Sequence, residues 1–323
     1  MNPPPDEFAW IDRLQPLTRG DPRALGLRDD AAVLGPRPGF DLVVSTDAMV
    51  EGVHVLAGES SEIIARRLLR TSLSDLAAKA AEPFGYFLTT AWPADRRWHD
   101  RDGFIRGLAN DGEAFGVALL GGDTVSTPGP FTVTATVLGW APAGQTVLRS
   151  AARAGDLVMV CGPIGDGWLG LRAARGELED QGGRLAARYR LPTPLLALRD
   201  ALRSHARAAA DVSDGLIADA AHVAMASGLA VRLEIDRLPL SDEGRAWLGG
   251  QSDRGAALRS LAAGGDDYAI VCAVDPAKEA EFRAEVAALE IIVARVGAFA
   301  IGEGAAVSID GAPQAIESAG WRH

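Results

Sequence analysis

Short apolar runs alternate with helical patterns along most of this chain. Residues 5–18 predict a short amphipathic helix. Strands are expected at 41–46, 86–92, 116–121 and 131–139, with helices at about 61–80 and 99–115 between them. In TVTATVLGW, residues 132–140, threonine alternates with apolar side chains, the period of two shown by a half-exposed strand. The segment APAGQTVLRSAARAGD follows, and a domain boundary is expected within 141–152. Beyond it the pattern predicts a strand at 157–162, a turn at Gly162-Pro163-Ile164-Gly165, helices at 165–176 and 193–206, a strand at 208–212 and a helix at 214–227. Further strands are expected at 230–235, 268–274 and 292–299, with a helix at 276–289. The polar stretch 176–192 ends at Pro192 and Pro194, which set up the next helix start. No short-period repeat, heptad array or low-complexity tail interrupts the series. The pattern implies two α/β domains, residues 1–145 and 146–323.

Against this background seven aspartates stand at the ends of apolar segments. They are Asp29 and Asp30 in GLRDDAAVL, Asp47 in LVVSTDAMV, Asp75 in TSLSDLAAKAA, Asp123 in VALLGGDT, and Asp211 and Asp214 in AAADVSDGLIAD. One such carboxylate is usually a cap or a turn residue. Carboxylates in five such places are harder to explain that way, because uncompensated buried charge is costly. Divalent metal is the simplest compensation, and hard oxygen ligands of this kind suit Mg²⁺.

Each piece has a plain structural alternative. LVVSTD is expected to bring Ser45, Thr46 and Asp47 to the carboxyl end of a strand, where open α/β sheets bind ligands; a simple Ser/Thr/Asp turn fits equally. In VALLGGDT, Gly121 and Gly122 would let backbone N–H groups approach a phosphate, with Asp123 meeting its metal, yet glycine pairs are common turn material. Asp75 is expected inside a helix among Leu73, Leu76, Ala77 and Ala78, where it needs pairing, coordination or a proton; Lys79 at i+4 offers an ordinary ion pair. In DVSDGL, Ser213 or Asp214 is expected as a helix N-cap, and the helix start is also a ready anion site, faced by Asp211.

Charge sharpens this picture. The formal net charge of −11 argues against nucleic acid or an anionic membrane as partner. An acidic chain that binds phosphates must neutralise them, which again points to metal. Lys79 and Lys278 are the two lysines among 32 cationic side chains, so few lysines are at hand for phosphate. Cys161 and Cys272 sit in apolar runs and suggest core positions in a reducing compartment. The start MNPPPDEFAWIDRL lacks the features of a secretory signal and no stretch approaches a membrane span, so cytoplasmic residence is expected. P-loop, protein-kinase, G-x-G-x-x-G, G-x-S-x-G and H-E-x-x-H motifs are all absent. The chain reads as a Mg²⁺-dependent, phosphate-handling enzyme.

Taken in order, GLRDDAAV, STDAMVEGVHV, SLSDLAA, LLGGDT, the Arg149 region, DVSDGL and GGDDY resemble the thiamine-monophosphate kinase family of the PurM-like superfamily, from about residue 8 to Trp321. The resemblance implies a two-domain PurM-like α/β fold, a homodimer through the N-terminal domain, and transfer of phosphate from ATP to thiamine monophosphate. By position it implies Asp30, Ser45, Thr46, Asp47, Asp75, Asp123, Asp211 and Asp214 as the Mg²⁺ shell, with Asp47, Asp75, Asp123 and Asp211 central to catalysis. Thr46, Gly122, Asp123, Arg149 and Ser213 become ATP contacts, and His54, Asp266 and Trp321 thiamine-phosphate contacts. Two positions depart from the family pattern. Arg28 replaces a usual glycine and is expected to reshape the loop or to add charge near the phosphates, and GGDDY shortens the usual glutamate at Asp266 by one methylene. Other superfamily activities are rivals, aminoimidazole ribonucleotide synthesis among them; selenophosphate synthesis needs an N-terminal Cys and hydrogenase maturation a C-terminal one, and neither is present. A non-catalytic nucleotide-binding homologue is a further alternative.

Overall fold

The computed structural model describes residues 7–316 and 319–321. Two compact units emerge. Residues up to Leu76 together with Ala81–Gly144 form the first, and Ala77–Ala80 with Gln145 onward form the second.

The first unit is built on a four-stranded sheet, β1 (Phe40–Val50), β2 (Glu82–Pro93), β3 (Ala118–Thr127) and β4 (Thr132–Pro142), in the order β1-β4-β2-β3. β4 lies antiparallel to β1 and β2, whereas β3 runs parallel to β2. Helices α1 (Glu7–Leu14), α2 (Ser61–Ala78) and α3 (Trp98–Phe115) accompany it. Ile64, Ala65, Leu68, Leu69, Ser72 and Leu76 recur at helical spacing and form the buried stripe of α2. A Cβ at Gly107 would lie 2.4 Å from the Glu62 carbonyl oxygen, so glycine lets α3 cross α2 closely. The single helix expected over 5–18 is instead α1 followed by 3₁₀ turns at Gln15–Thr18 and Pro22–Leu27, because prolines 16 and 22 each open a new turn.

The second unit is a seven-stranded sheet of β5 (Leu157–Cys161), β6 (Ala206–Asp211), β7 (Ala230–Glu234), β8 (Ile270–Val274), β9 (Val293–Ala300), β10 (Ala305–Ile309) and β11 (Ala312–Gln314), ordered β11-β10-β7-β9-β5-β8-β6. β5 and β8 are buried along their whole length. Val158, Val160, Val271 and Ala273 enter one core, whereas Leu157, Met159, Cys161, Ile270 and Cys272 enter another. Their helices are α4 (Asp166–Ala174), α5 (Arg184–Arg190), α6 (Arg199–His205), α7 (Leu216–Ala226), α8 (Asp242–Gly249), α9 (Arg254–Ala263) and α10 (Glu279–Ala288). Among the described residues no helix is long and apolar enough to cross a membrane.

Candidate active site

In the first unit β1 is longer than expected, so Ser45, Thr46 and Asp47 lie within the strand and not at its carboxyl end. Alternation then separates them. Ser45 Oγ donates to Asp75 Oδ2 of α2 at 2.5 Å, and Asp47 also faces α2 through a hydrogen bond with Ser72. Thr46 points to the opposite face, with its Oγ1 3.0 Å from Thr136 Oγ1, so the three side chains do not form one shell. Burial and the neighbouring Asp75 charge push Asp47 up to about 6. Neither carboxylate forms an ion pair among the described residues. The proposed alternative partner, Lys79, donates Nζ to the Ala209 carbonyl at 2.6 Å.

Asp123 lies mid-strand in β3, not at a strand end. Its row across the sheet is Thr89, Thr134 and Ala48, whereas the row of Asp47 is Ala135, Leu88 and Gly122. Thr124 turns inward to accept a hydrogen bond from Trp10 Nε1 at 3.0 Å, which sends the exposed Asp123 to the other face. Asp47 and Asp123 thus sit on opposite edge strands, about 14 Å apart at three strand spacings. Gly122 has a structural reason of its own, since a Cβ there would lie 1.8 Å from the Leu88 carbonyl oxygen. Asp30 is exposed in the loop before β1, where its N–H donates to Asp29 Oδ1 at 2.8 Å. Arg28 adopts φ −113° without strain and pairs with Asp12 at 2.8 Å, so its charge has a local acidic partner. His54 follows β1; its Nδ1 accepts the Val50 N–H at 3.1 Å, which leaves the ring proton on Nε2.

In the second unit Asp211 ends β6 and is buried. The N-cap of α7 is Gly215, and neither Ser213 nor Asp214 caps the helix through its side chain. Asp219, from within the first turn, reaches back instead: its Oδ2 accepts the N–H groups of Ser213 at 3.1 Å, Asp214 at 3.1 Å and Gly215 at 3.2 Å. The amides expected to receive an anion are therefore already bonded to a carboxylate. Ser213 and Asp214 also tie in the substrate candidates through backbone. Asp266 N–H donates to Ser213 O at 2.8 Å, and Trp321 N–H donates to Asp214 O at 2.9 Å. Asp266 holds φ +61°, in the left-handed region, and its Oδ1 accepts the Tyr268 hydroxyl at 3.0 Å.

Asp267, which carried no sequence-level assignment, is partly buried. Its two oxygens accept the N–H groups of Gly165 at 2.8 Å and Gly167 at 2.9 Å, while burial raises its pKa well above the ordinary value. A Cβ at Gly167 would lie 2.3 Å from the Asp266 carbonyl, so the α4 start and the GGDDY loop interlock. The Trp321 ring is 60% exposed and Arg149 is exposed, with its carbonyl accepting the Ser227 hydroxyl at 3.1 Å. The structure thus groups Ser213, Asp214, Asp266 and Trp321 in the second unit and Ser45, Asp47 and Asp75 in the first. Among the described residues no three His, Cys, Asp or Glu side chains gather as a metal site.

The chain as a whole has counterparts among known proteins. The AIR synthase related protein N-terminal domain matches residues 28–141, and the corresponding C-terminal domain matches residues 153–310. Thiamine-monophosphate kinase of Caulobacter vibrioides is 56% identical over 321 residues, 99% of this chain and 91% of that protein. The crystal structure of thiamine-monophosphate kinase from Stenotrophomonas maltophilia K279a superposes with a TM-score of 0.83 at 33% identity, over 95% of this chain and 98% of that one. AaThiL complexed with AMPPCP and TMP gives a TM-score of 0.78 at 26% identity, over 98% and 96%. With both halves matched and the likeness running nearly end to end, the chain belongs to the AIR synthase related protein family, among its thiamine-monophosphate kinases.

Proposed function

We infer that the chain transfers the γ-phosphoryl group of ATP to thiamine monophosphate, giving thiamine diphosphate and ADP. The near-full-length likeness to the Caulobacter kinase carries this reading, and the AaThiL complex with a nucleotide analogue and TMP supports its substrate pair. The acceptor is already an anion at neutral pH, so no general base is required and transfer is direct and in line.

The Asp47–Asp75 pair fits a divalent cation. Two carboxylates meet there with serine hydroxyls and no ion pair among the described residues, and Mg²⁺ commonly takes one or two carboxylates and completes its shell with water and phosphate oxygens. Asp30, Ser45, Asp47, Asp75 and Asp123 of the first unit, and Asp211 and Asp214 of the second, are the side chains assigned to hold Mg²⁺, which when bound neutralises the repulsion between donor and acceptor phosphates. Thr46, Gly122, Arg149 and Ser213 are assigned to the nucleotide. His54 donates from Nε2 to the acceptor phosphate, because its Nδ1 is already committed to Val50. Asp266 and the open face of Trp321 suit the thiazolium cation.

A homodimer through residues 1–145 belongs to this reading. If Asp47 and Asp123 serve one centre, the strand order requires them to come from two chains, with β1 of one protomer beside β3 of its partner. The outward face carries Leu42 (44% exposed), Val44 (52%) and Val125 (47%), apolar surface that such pairing would cover. We assign the enzyme to the cytoplasm, where its substrates are phosphorylated small molecules.

The test is incubation of the protein with ATP, Mg²⁺ and thiamine monophosphate, with free thiamine in a matched reaction. Thiamine diphosphate is expected from the monophosphate alone. ATP binding without product from either acceptor would overturn the substrate assignment.

A further inference from the structure

Asp219 is 2% exposed, yet its carboxylate is directed at no basic side chain within hydrogen-bond distance; His222 Nδ1 stands 3.6 Å away. Its Oδ2 instead gathers three consecutive backbone N–H groups, those of Ser213, Asp214 and Gly215. One side-chain carbonyl-type oxygen thus gathers three donors of a single turn, a role that rests on its position as an acceptor. The carbonyl groups of the same segment are also engaged: Ser213 O accepts from Asp266 and Asp214 O from Trp321. Gly215 completes the restraint, because at φ +123° a Cβ there would lie 2.8 Å from the Ala263 carbonyl oxygen. The backbone of residues 213–215 is thus fixed from both sides by bonds to its amides and carbonyls, none of which uses the Ser213 hydroxyl or the Asp214 carboxylate.

We propose that Asp219 is a positioning residue, which sets the Ser213–Gly215 backbone so that the Ser213 hydroxyl and Asp214 carboxylate are pre-arranged for nucleotide and metal. This rests on the assignment of those two residues as ligands under the proposed function. It also assigns the work at this helix start to side chains, since the amides that would otherwise attract a phosphate are turned toward Asp219. Supporting groups of this kind typically change metal affinity by about 10- to 100-fold when removed.

Two readouts on the full-length chain test this. The first is hydrogen exchange at the amides of residues 213–215 without metal or nucleotide. The second is the Mg²⁺ concentration giving half-maximal activity. Asp219→Ala is expected to speed exchange at those amides and to raise the half-maximal Mg²⁺ concentration about tenfold, with the KM for thiamine monophosphate changed less than about twofold. Asp219→Asn keeps a side-chain oxygen that can accept the same N–H groups, and is expected to stay within about threefold of wild type on both readouts. Asn as damaging as Ala would overturn the positioning role in favour of charge, and faster exchange with an unmoved Mg²⁺ response would overturn it outright. Should the Ala variant not fold, the Asn variant alone decides: preserved exchange protection and Mg²⁺ response support the role, and their loss refutes it. Asp214→Asn separates the two levels. If it leaves the Mg²⁺ response unmoved, the ligand assignment fails and the positioning role with it; if it shifts the response and Asp219→Ala does not, only the positioning role fails.

Discussion

In the first unit the Asp47 carboxylate faces Asp75, which itself accepts the Ser45 hydroxyl, whereas in the second the Asp219 and Asp267 carboxylates are met by three and two backbone amides respectively. All of these aspartates are at least half-buried, and on the sequence alone they look alike. Their partners set their work apart. A carboxylate satisfied by amides is complete within the folded chain and holds loops in register. Burial raises the pKa in both regions, so the difference lies in the donors: a carboxylate that faces another carboxylate without such amides is short of positive charge, which is the state a cation would relieve. Substitution should therefore act on turnover directly in the first region, and through the loops that the carboxylates hold in the second.

The largest expected effect is on Asp47→Asn, which should lower turnover about a thousandfold, roughly 4 kcal/mol of barrier, with the fold intact by circular dichroism. Near-normal turnover at saturating Mg²⁺ would erase the distinction between the two regions. Next, Asp267→Ala should destabilise the protein by about 3 kcal/mol in chemical denaturation, because the Gly165 and Gly167 amides are left buried without an acceptor. An unchanged denaturation midpoint would show that these amides find another acceptor.

A smaller effect concerns pH in metal-free protein. Asp47 titrates at about 6 in the folded chain against an ordinary value of 3.8, so the folded state binds its proton more tightly than the unfolded one. Its protonated form contributes stability below about pH 4, and this is lost as pH rises through about 6. Measured with a chelator, Asp47→Asn should match wild type near pH 4 and exceed it by on the order of 2 kcal/mol above pH 6. A constant difference across that range would contradict the assignment of the shift to Asp47. Smallest of all, Trp321→Ala should raise the KM for thiamine monophosphate about fivefold with thermal stability unchanged, since the ring is largely exposed.

Much of this architecture is legible in the sequence where burial is two-sided. Strands β5 and β8 read as continuous apolar runs because a core lies against each face. β1 and β3 read as shorter for the opposite reason: their second halves are rich in Ser, Thr, Gly and Asp, which resembles a turn, so the sequence predicts Asp47 and Asp123 at strand ends, whereas they lie inside strands. The polar stretch before Pro192 hides α5, whose Arg188 joins Asp166 at 2.6 Å and Glu243 at 2.9 Å, a long-range network that periodicity does not express. Helices α8 and α9 had readable starts, Ser241 accepting the Gly244 N–H and Asp253 the Ala256 N–H, but their apolar stripes are weak.

At the candidate site, the motif order picked out the segments that carry the assigned residues, while Asp219 and Asp267 went unseen. The Asp four residues after Gly215 is a signal of helical spacing, with its side chain directed back at the helix start. Asp267 had no such spacing, since its partners at Gly165 and Gly167 lie about a hundred residues away in the chain. Ser213 or Asp214 is the N-cap the sequence predicts for α7, whereas Gly215 takes that position and Asp219, from the same helix, holds the amides.

The separation of Asp47 from Asp123 within one sheet makes mixing of two inactive variants the most direct test. Asp47→Asn and Asp123→Asn proteins, each inactive alone, would be unfolded together, refolded to exchange subunits, and assayed for thiamine diphosphate. If each centre takes Asp47 from one chain and Asp123 from its partner, half of the dimers are mixed and each holds one intact centre, so about a quarter of wild-type activity should return. No recovery, with exchange of subunits demonstrated, would contradict a centre shared between two chains.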